Sequence, residues 1–375
     1  TNPTSPNPDN DDDGGVSYTY ALADNGVITL NLSNTHAETL TITVNDPLNA
    51  VSSTSIPITF ASNVFIITED PIQVGGRPQA MNVAMWTDDG SNCFIDTNYN
   101  SASQSIEASI DRAGVLPGAN DPSIAGITVP DGPATASVTL DFSVTPGQAG
   151  FNLDTSDVGQ YRLVLADLTG NFSDQAIVGT GNLLTVRPFG LSVTGIMAGA
   201  TANPGGTAPG DSIFTAAGSD FEATVAGVLW AAADDGNNDG VLDSGTYAGN
   251  AVAPSYAWDT TLSVSGAGYT PATGTPGSLA NNTVLLADFS AGSFTINNLQ
   301  YSEVGSFTLQ SSALDFLGIP GLDIVGDDII VGRFTPASLV ISTTTDGEFD
   351  NTNIAGLVAY TYVLSLIHIS EPTRQ

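Results

Sequence analysis

The sequence predicts an all-β protein built as tandem Ig-like β-sandwich modules with long loops. Forty Gly and 21 Pro in 375 residues argue against long helices. No segment places apolar residues at helical spacing for three turns, whereas period-two alternation is frequent. Two stretches also read almost as copies. Ser156, Asp157, Val158, Gly159, Gln160, Tyr161, Arg162, Leu163, continuing to Arg187, Pro188, Phe189, matches Ser302, Glu303, Val304, Gly305, Ser306, Phe307, Thr308, Leu309, continuing to Arg333, Phe334, Thr335, Pro336. Both anchors share one offset (302 − 156 = 333 − 187 = 146), so a unit of that length is expected to recur, each copy ending on its closing strands. One sandwich takes about 100 residues, and a solenoid would need shorter repeats.

Taken in order, residues 1–15 hold Pro3, Pro6, Pro8 and the run Asp9, Asn10, Asp11, Asp12, Asp13, Gly14, Gly15. Such a stretch cannot bury a core and reads as an acidic Pro/Asp linker. Residues 16–63 alternate through Val27, Ile28, Leu30, Leu32, then Leu40, Ile42, Val44, with a turn at Asn45, Asp46, Pro47, and predict a partial or small β-module. The first full module is expected over 64–187, with Met81, Val83, Met85 on an opening strand, Val138, Leu140, Phe142, Val144 on a central one, and Tyr161, Leu163, Leu165 closing it. The second, over 188–335, repeats that order with Phe221, Ala223, Val225, then Leu262 and Val264, Phe294 and Ile296, and Phe307 with Leu309. Gly159 and Gly305 precede the closing strands, where a tight turn wants positive φ. Trp86 and Trp230 read as core anchors. Residues 336–363 begin a further module that does not close. Leu364 to Arg374 resembles the translation of a transposase-type sequencing adapter, so 364–375 is set apart. For the same reason the apolar run Ile354 to Ile369 is not expected to be a membrane span. Thr1 reads as a cut point, by processing or fragmentation.

The charge balance is extreme: 39 Asp plus Glu face six basic residues, all Arg, for a net charge of −33. That field repels phosphate backbones and anionic membranes, so nucleic acid is excluded as a partner, while solubility and attraction for cations are favoured. With Cys93 as the only cysteine, no disulfide closes within the chain. Zinc chemistry lacks thiolates and imidazoles. A Ser/His/Asp or Cys/His arrangement would need His36, which lies in a different expected module from Cys93 and near no nucleophile motif. No phosphate-cradling glycine motif opens a helix. An enzyme is not expected.

The most specific local feature is Asp234, Asp235, Gly236, Asn237, Asn238, Asp239, Gly240, Val241, Leu242, Asp243. Counting from Asp235, oxygen side chains fall at positions 1, 3, 5 and 9 (Asp235, Asn237, Asp239, Asp243). Gly240 takes position 6, where the chain must turn sharply, and Val241 can offer its carbonyl at 7. That spacing wraps hard oxygens round Ca²⁺. Thr246 stands where a bidentate Glu would be, so affinity is expected to be modest unless Asp234 completes the shell. The alternative is a polar loop held by Asx turns. Adding the repeat offset maps Asp88, Asp89, Gly90, Ser91, Asn92 onto this loop, but Cys93 and Thr97 replace the hard ligands, so one loop alone is expected to bind. Tyr247, Tyr256, Trp258 and Tyr269 cluster in the same long-loop region. They would stack on sugars in a carbohydrate-binding module, with core packing the alternative for Trp258.

Several of these stretches together resemble a known family. They are Arg187, Pro188, Phe189; Phe214 through Phe221; Trp230 with Ala231, Ala232, Ala233, Asp234, Asp235; Tyr301 through Phe307; and Val331, Gly332, Arg333, Phe334, Thr335, Pro336. They resemble the large C-terminal β-rich region of MshQ-type proteins of the mannose-sensitive haemagglutinin (MSHA) type IV pilus system. The resemblance is strong over 156–340 and fainter over 64–155. It implies export, a location on the cell surface or pilus of a Gram-negative bacterium, and adhesion, with pilus or cell-surface components as partners; surface glycans are the partners expected of the carbohydrate-binding alternative. It brings no catalytic residues.

Overall fold

Period-two alternation in the sequence becomes alternation of burial. In the Gln104–Asp111 strand Ile106, Ala108 and Ile110 turn inward while the residues between them stay partly or fully exposed. The computed structural model describes residue 27 and residues 38–338, apart from 47, 56, 61, 89–91, 113–118, 174, 266–269 and 272–273. The expected linker at 1–15, His36, Tyr269, the tail at 364–375 and all but the first residues of 336–363 lie outside the described residues. Among those described, the chain is strand and turn, interrupted by single 3-10 turns at Leu286–Asp288 and Phe316–Gly318. The fold is all-β.

The chain divides into two compact units, residues 1–64 with 85–96 and residues 65–84 with 97–375. In the first unit, Thr43–Asp46 pairs with Val51–Thr54, and the turn between them is set by Asp46, whose Oδ1 accepts the N–H groups of Leu48 and Asn49. Every described residue of these two strands is exposed, as expected of an isolated ribbon. In the same unit Trp86 faces Ile95 and Asp88 faces Cys93 across a second hairpin. Of the residues that the repeat offset lays on the Asp-rich loop, Asp88 thus ends a strand of that hairpin, and 89–91 lie outside the described residues.

Within the second unit, one set of ladders draws on residues up to Arg187. Gln148–Asp154 pairs with residues 79–84 on one side, and Ala136–Leu140, Gln104–Asp111 and Gly159–Asp167 pair in series on the other. Phe65, Tyr99 and Phe142 meet in that core at centroid separations of 4.7–6.2 Å, and the Tyr99 hydroxyl donates to Asp167 at 2.7 Å. We call this region module one.

Module two is a two-sheet sandwich built from residues after Pro188. Gly190–Ala198, Asp220–Val228 and Ser293–Tyr301 form one sheet with short edge strands. Ile329–Thr335, Gly305–Ala313 and Thr260–Val264 form the other. Between the sheets lie Phe221, Val225, Leu262, Ile296, Leu299, Phe307, Leu309 and Val331, with Phe334 in contact with the rings of Phe214, Phe221, Tyr301 and Phe307. Burying one such ring contributes about 1.5–3 kcal/mol.

The modules share a closing arrangement. Gly159–Asp167 runs antiparallel to Leu184–Arg187, which lies parallel to Ile72–Val74. Gly305–Ala313 runs antiparallel to Ile329–Thr335, which lies parallel to Thr215–Ala216. Turn bonds recur as well: Gly76 N–H to Thr155 O against Gly218 N–H to Tyr301 O, and Arg77 N–H to Val74 O against Ser219 N–H to Ala216 O. Both closing strands start from glycines at φ 152° and 96°, as expected for Gly159 and Gly305. The second anchor is corrected. Val186 faces Gly159, whereas Phe334 faces Gly305, and a bulge displaces Arg333 from the ladder. By register Arg187 therefore answers to Thr335, and Arg333 has no counterpart.

Candidate functional site

The Asp-rich loop leaves the Asp220–Val228 strand at the edge of module two and folds around one buried carboxylate. Asp235 is 3% exposed. Its Oδ1 accepts Asp239 N–H at 3.0 Å, and its Oδ2 accepts Gly240 N–H and the Trp230 indole N–H, each at 2.7 Å. Burial alone would raise its pKa, but the Trp230 donor and the backbone donors of Gly240, Asp239 and Asn238 outweigh it and hold the carboxyl below the usual range. Around this centre Asn237 Oδ1 accepts Asp239 N–H, Asp239 Oδ1 accepts Val241 N–H, and Asp243 Oδ2 accepts Asn237 N–H, at 2.8–3.1 Å. Gly240 at φ 83° makes the sharp turn expected at position 6. The loop thus brings Asp235, Asn237, Asp239, Val241 and Asp243 into one coil of Asx-type turns. Among the described residues, no group of three or more His, Cys, Asp or Glu side chains is gathered as a metal site. Oxygens from Asn237 and the Val241 carbonyl would have to join the acids in any shell.

The outer side of the loop is held from module one. Arg77 Nε donates to Asn238 Oδ1 at 3.0 Å and its Nη2 to the Asn238 carbonyl. Arg187 Nη2 donates to Gly240 O at 2.8 Å, and its Nη1 to Pro188 O and Phe189 O. Burial lowers the Arg187 pKa, offset by Tyr247 and reinforced by the like charge of Arg77. An Arg starts so high that it stays charged. Trp230 N–H reaches Gly75 O at 2.8 Å. Close by, Asp327 accepts Tyr247 N–H through Oδ2 while its Oδ1 is buried without a partner. Burial, with the like charges of Asp234 and Asp328, raises its pKa above the ordinary value despite the Tyr247 bond.

A second polar contact crosses between the modules at the repeated signal. Asp157, 3% exposed, accepts Val158 N–H and Ser255 N–H through Oδ1 and Asn120 N–H through Oδ2, each at 2.9 Å. Asp157 and Arg187 stand in the repeated stretches only as boundary markers and Arg77 stands in no motif, so none of the three is read as a contact between modules. The usable signal was scarcity, because a chain with six basic residues spends two of them on one loop.

Two of the aromatic candidates, Tyr247 and Tyr256, are placed differently from the sugar-stacking expectation. Tyr256 is 1% exposed, stacked on Phe316 and edge-on to Phe289, with its hydroxyl beside Thr260 Oγ1. Tyr247 is 6% exposed and packs edge-on to Phe189. Both rings are core. Trp258 is half-buried against Phe316 and donates to Leu314 O, and Tyr269 lies outside the described residues. Cys93 is exposed, and the described residues include no histidine.

Residues 187–300 match one family model. It is described as DUF6701, second domain. The DUF6701 match begins at Arg187 and takes in the Asp-rich loop and the Ser293–Gln300 part of the sandwich. No curated protein matches the chain. Among solved structures, the D0-D1 domain of intimin is 14% identical, with 73% of this chain and all of that chain covered and a TM-score of 0.20. Invasin, described as a bacterial integrin-binding protein, is 11% identical at a TM-score of 0.25; 81% of this chain is covered but just under half, 47%, of invasin. A marsupial T cell receptor is 10% identical at a TM-score of 0.21, covering 73% of this chain and 66% of that one. Superpositions this loose carry no functional information. Among the described residues no helix is long and apolar enough to cross a membrane.

Proposed function

We propose that this chain is a non-enzymatic adhesin or structural stalk of a Gram-negative cell surface, associated with an MSHA-type pilus, and that calcium stiffens it through the 235–243 loop. The observation that carries the reading is the position of that loop. It holds a charge-rich coil where module two meets module one, so anything that orders it stiffens a stalk. The strong negative charge suits an exported surface protein and draws cations. In this reading the two modules are copies of one repeat, diverged at the loop. Asp235, Asn237, Asp239, Asp243 and the Val241 carbonyl would hold the ion, with hard oxygens suited to Ca²⁺. Their work here is to bind and order; no proton or electron moves.

Calcium that binds the folded chain alone raises its stability, by about 2.7 kcal/mol at a hundredfold excess over Kd. Thermal unfolding of the full chain should therefore shift upward with calcium and downward with a chelator, and Asp239→Ala should abolish the shift. A melting temperature indifferent to both would end the calcium reading. Of the candidate rings among the described residues, Trp258 stays partly accessible for a glycan-reading role. A glycan array that loses signal on Trp258→Ala would favour that role over a stalk.

A further inference from the structure

Two guanidiniums from module one converge on the loop of module two at Asn238 and Gly240. Among the described residues, neither bonds an oxygen of Asp235, Asn237, Asp239 or Asp243, so the grip uses only residues between the acids. Behind the grip, apolar clusters cross the joint. Val74 of module one lies with Phe189, Val228 and Tyr247, and Leu242 of the loop packs against them. Val158 of module one lies with Leu191, Ala253, Tyr256, Ala313 and Phe316. The backbones approach so closely that a Cβ on Gly76 of module one would sit 3.0 Å from the Trp230 nitrogen and 3.1 Å from the Trp230 carbonyl oxygen of module two. Covalently linked sandwiches move against each other by default, unless the interface is extensive and apolar.

We propose that the 235–243 loop is a latch. Arg77 and Arg187 hold it shut from module one, and while it is shut the two sandwiches move as one body. The latch goes beyond the calcium reading, because the arginine bonds need no ion. Asp235 is its inner catch: it fixes the main chain at Asp239 and Gly240, so the Gly240 carbonyl stands ready for Arg187. The charge-assisted bonds give direction to a contact that apolar packing alone would leave free to slide.

The test is the distance distribution between spin labels at Ala102→Cys in module one and Asn297→Cys in module two. It is read by pulsed electron resonance on the full chain carrying Cys93→Ser, with chelator present throughout. A narrow distribution is expected, and Arg77→Ala/Arg187→Ala should at least double its width. A broad distribution in the parent chain, or an unchanged one in the double variant, overturns the latch. Should the double variant not fold, Arg77→Ala alone is read by the same criterion. Because chelator is present, failure here leaves the calcium reading standing, and failure of calcium binding leaves the latch standing.

Discussion

At the end of module one, Asp157 accepts three backbone N–H groups, one of them from module two, and is almost fully buried. At the matching place in module two, Glu303 accepts the neighbouring Val304 N–H and is exposed. The same contrast runs through the turn residues, where Arg77 answers to Ser219 and Arg187 to Thr335. The repeated signal thus specifies how a closing strand starts and which backbone bonds frame it. What reaches across to another module is written in the residues that are not repeated.

The widest gap between the two ends is expected from their acids. Asp157→Ala strands one buried donor, Val158 N–H, and two partly buried ones, Ser255 and Asn120 N–H, so a loss of about 2–4 kcal/mol is expected. Glu303→Ala should stay within about 0.5 kcal/mol, as exposed substitutions do. Urea denaturation of both variants checks this, and equal losses would break the comparison.

The two Asp loops give the next contrast. Asp235→Ala removes the acceptor of Trp230, Asp239 and Gly240 and should cost about 2–3 kcal/mol, whereas Asp88→Ala, at an exposed hairpin end, should cost under about 0.5 kcal/mol. The Asp235 effect should depend on pH with a definite sign. Its folded pKa lies below the ordinary value of 3.8, so its stabilisation is present above that value and is lost as pH falls through the folded pKa. Trp230 fluorescence through an acid titration should report the loss, and Asp235→Asn should blunt it.

The smallest effect has the opposite sign. The folded pKa of Asp327 is raised, so its charge is a burden at neutral pH that protonation relieves. Asn can keep the Tyr247 bond without the charge, so Asp327→Asn should stabilise by about 0.5–1 kcal/mol at pH 7 and lose that advantage in acid. Thermal melts at two pH values decide it, and a destabilised variant at neutral pH contradicts the account.

Much of the fold was legible because alternation is a local property. Phe221, Ala223 and Val225, or Tyr161, Leu163 and Leu165, announce a strand and its buried face without reference to anything distant. Gly159 and Gly305 were legible for the same reason, as was the turn at Gly240. The bulge at Arg333 was hidden, since a similar run of residues reads the same whether or not one of them leaves the ladder. The burial of Tyr247 and Tyr256 was also hidden, because an aromatic in a long loop looks alike whether it faces a ligand or a Phe from another loop. The arginine grip depends on pairs 161 and 53 residues apart, a separation that no window of sequence exposes.

If the loop joins the two sandwiches into one body, they unfold together, and region-resolved hydrogen exchange through a urea series reads this out. Peptides covering Gln104–Asp111 in module one and Ser293–Tyr301 in module two should lose protection at the same urea concentration in the full chain. Two well-separated midpoints would show the modules unfolding independently and would contradict the account.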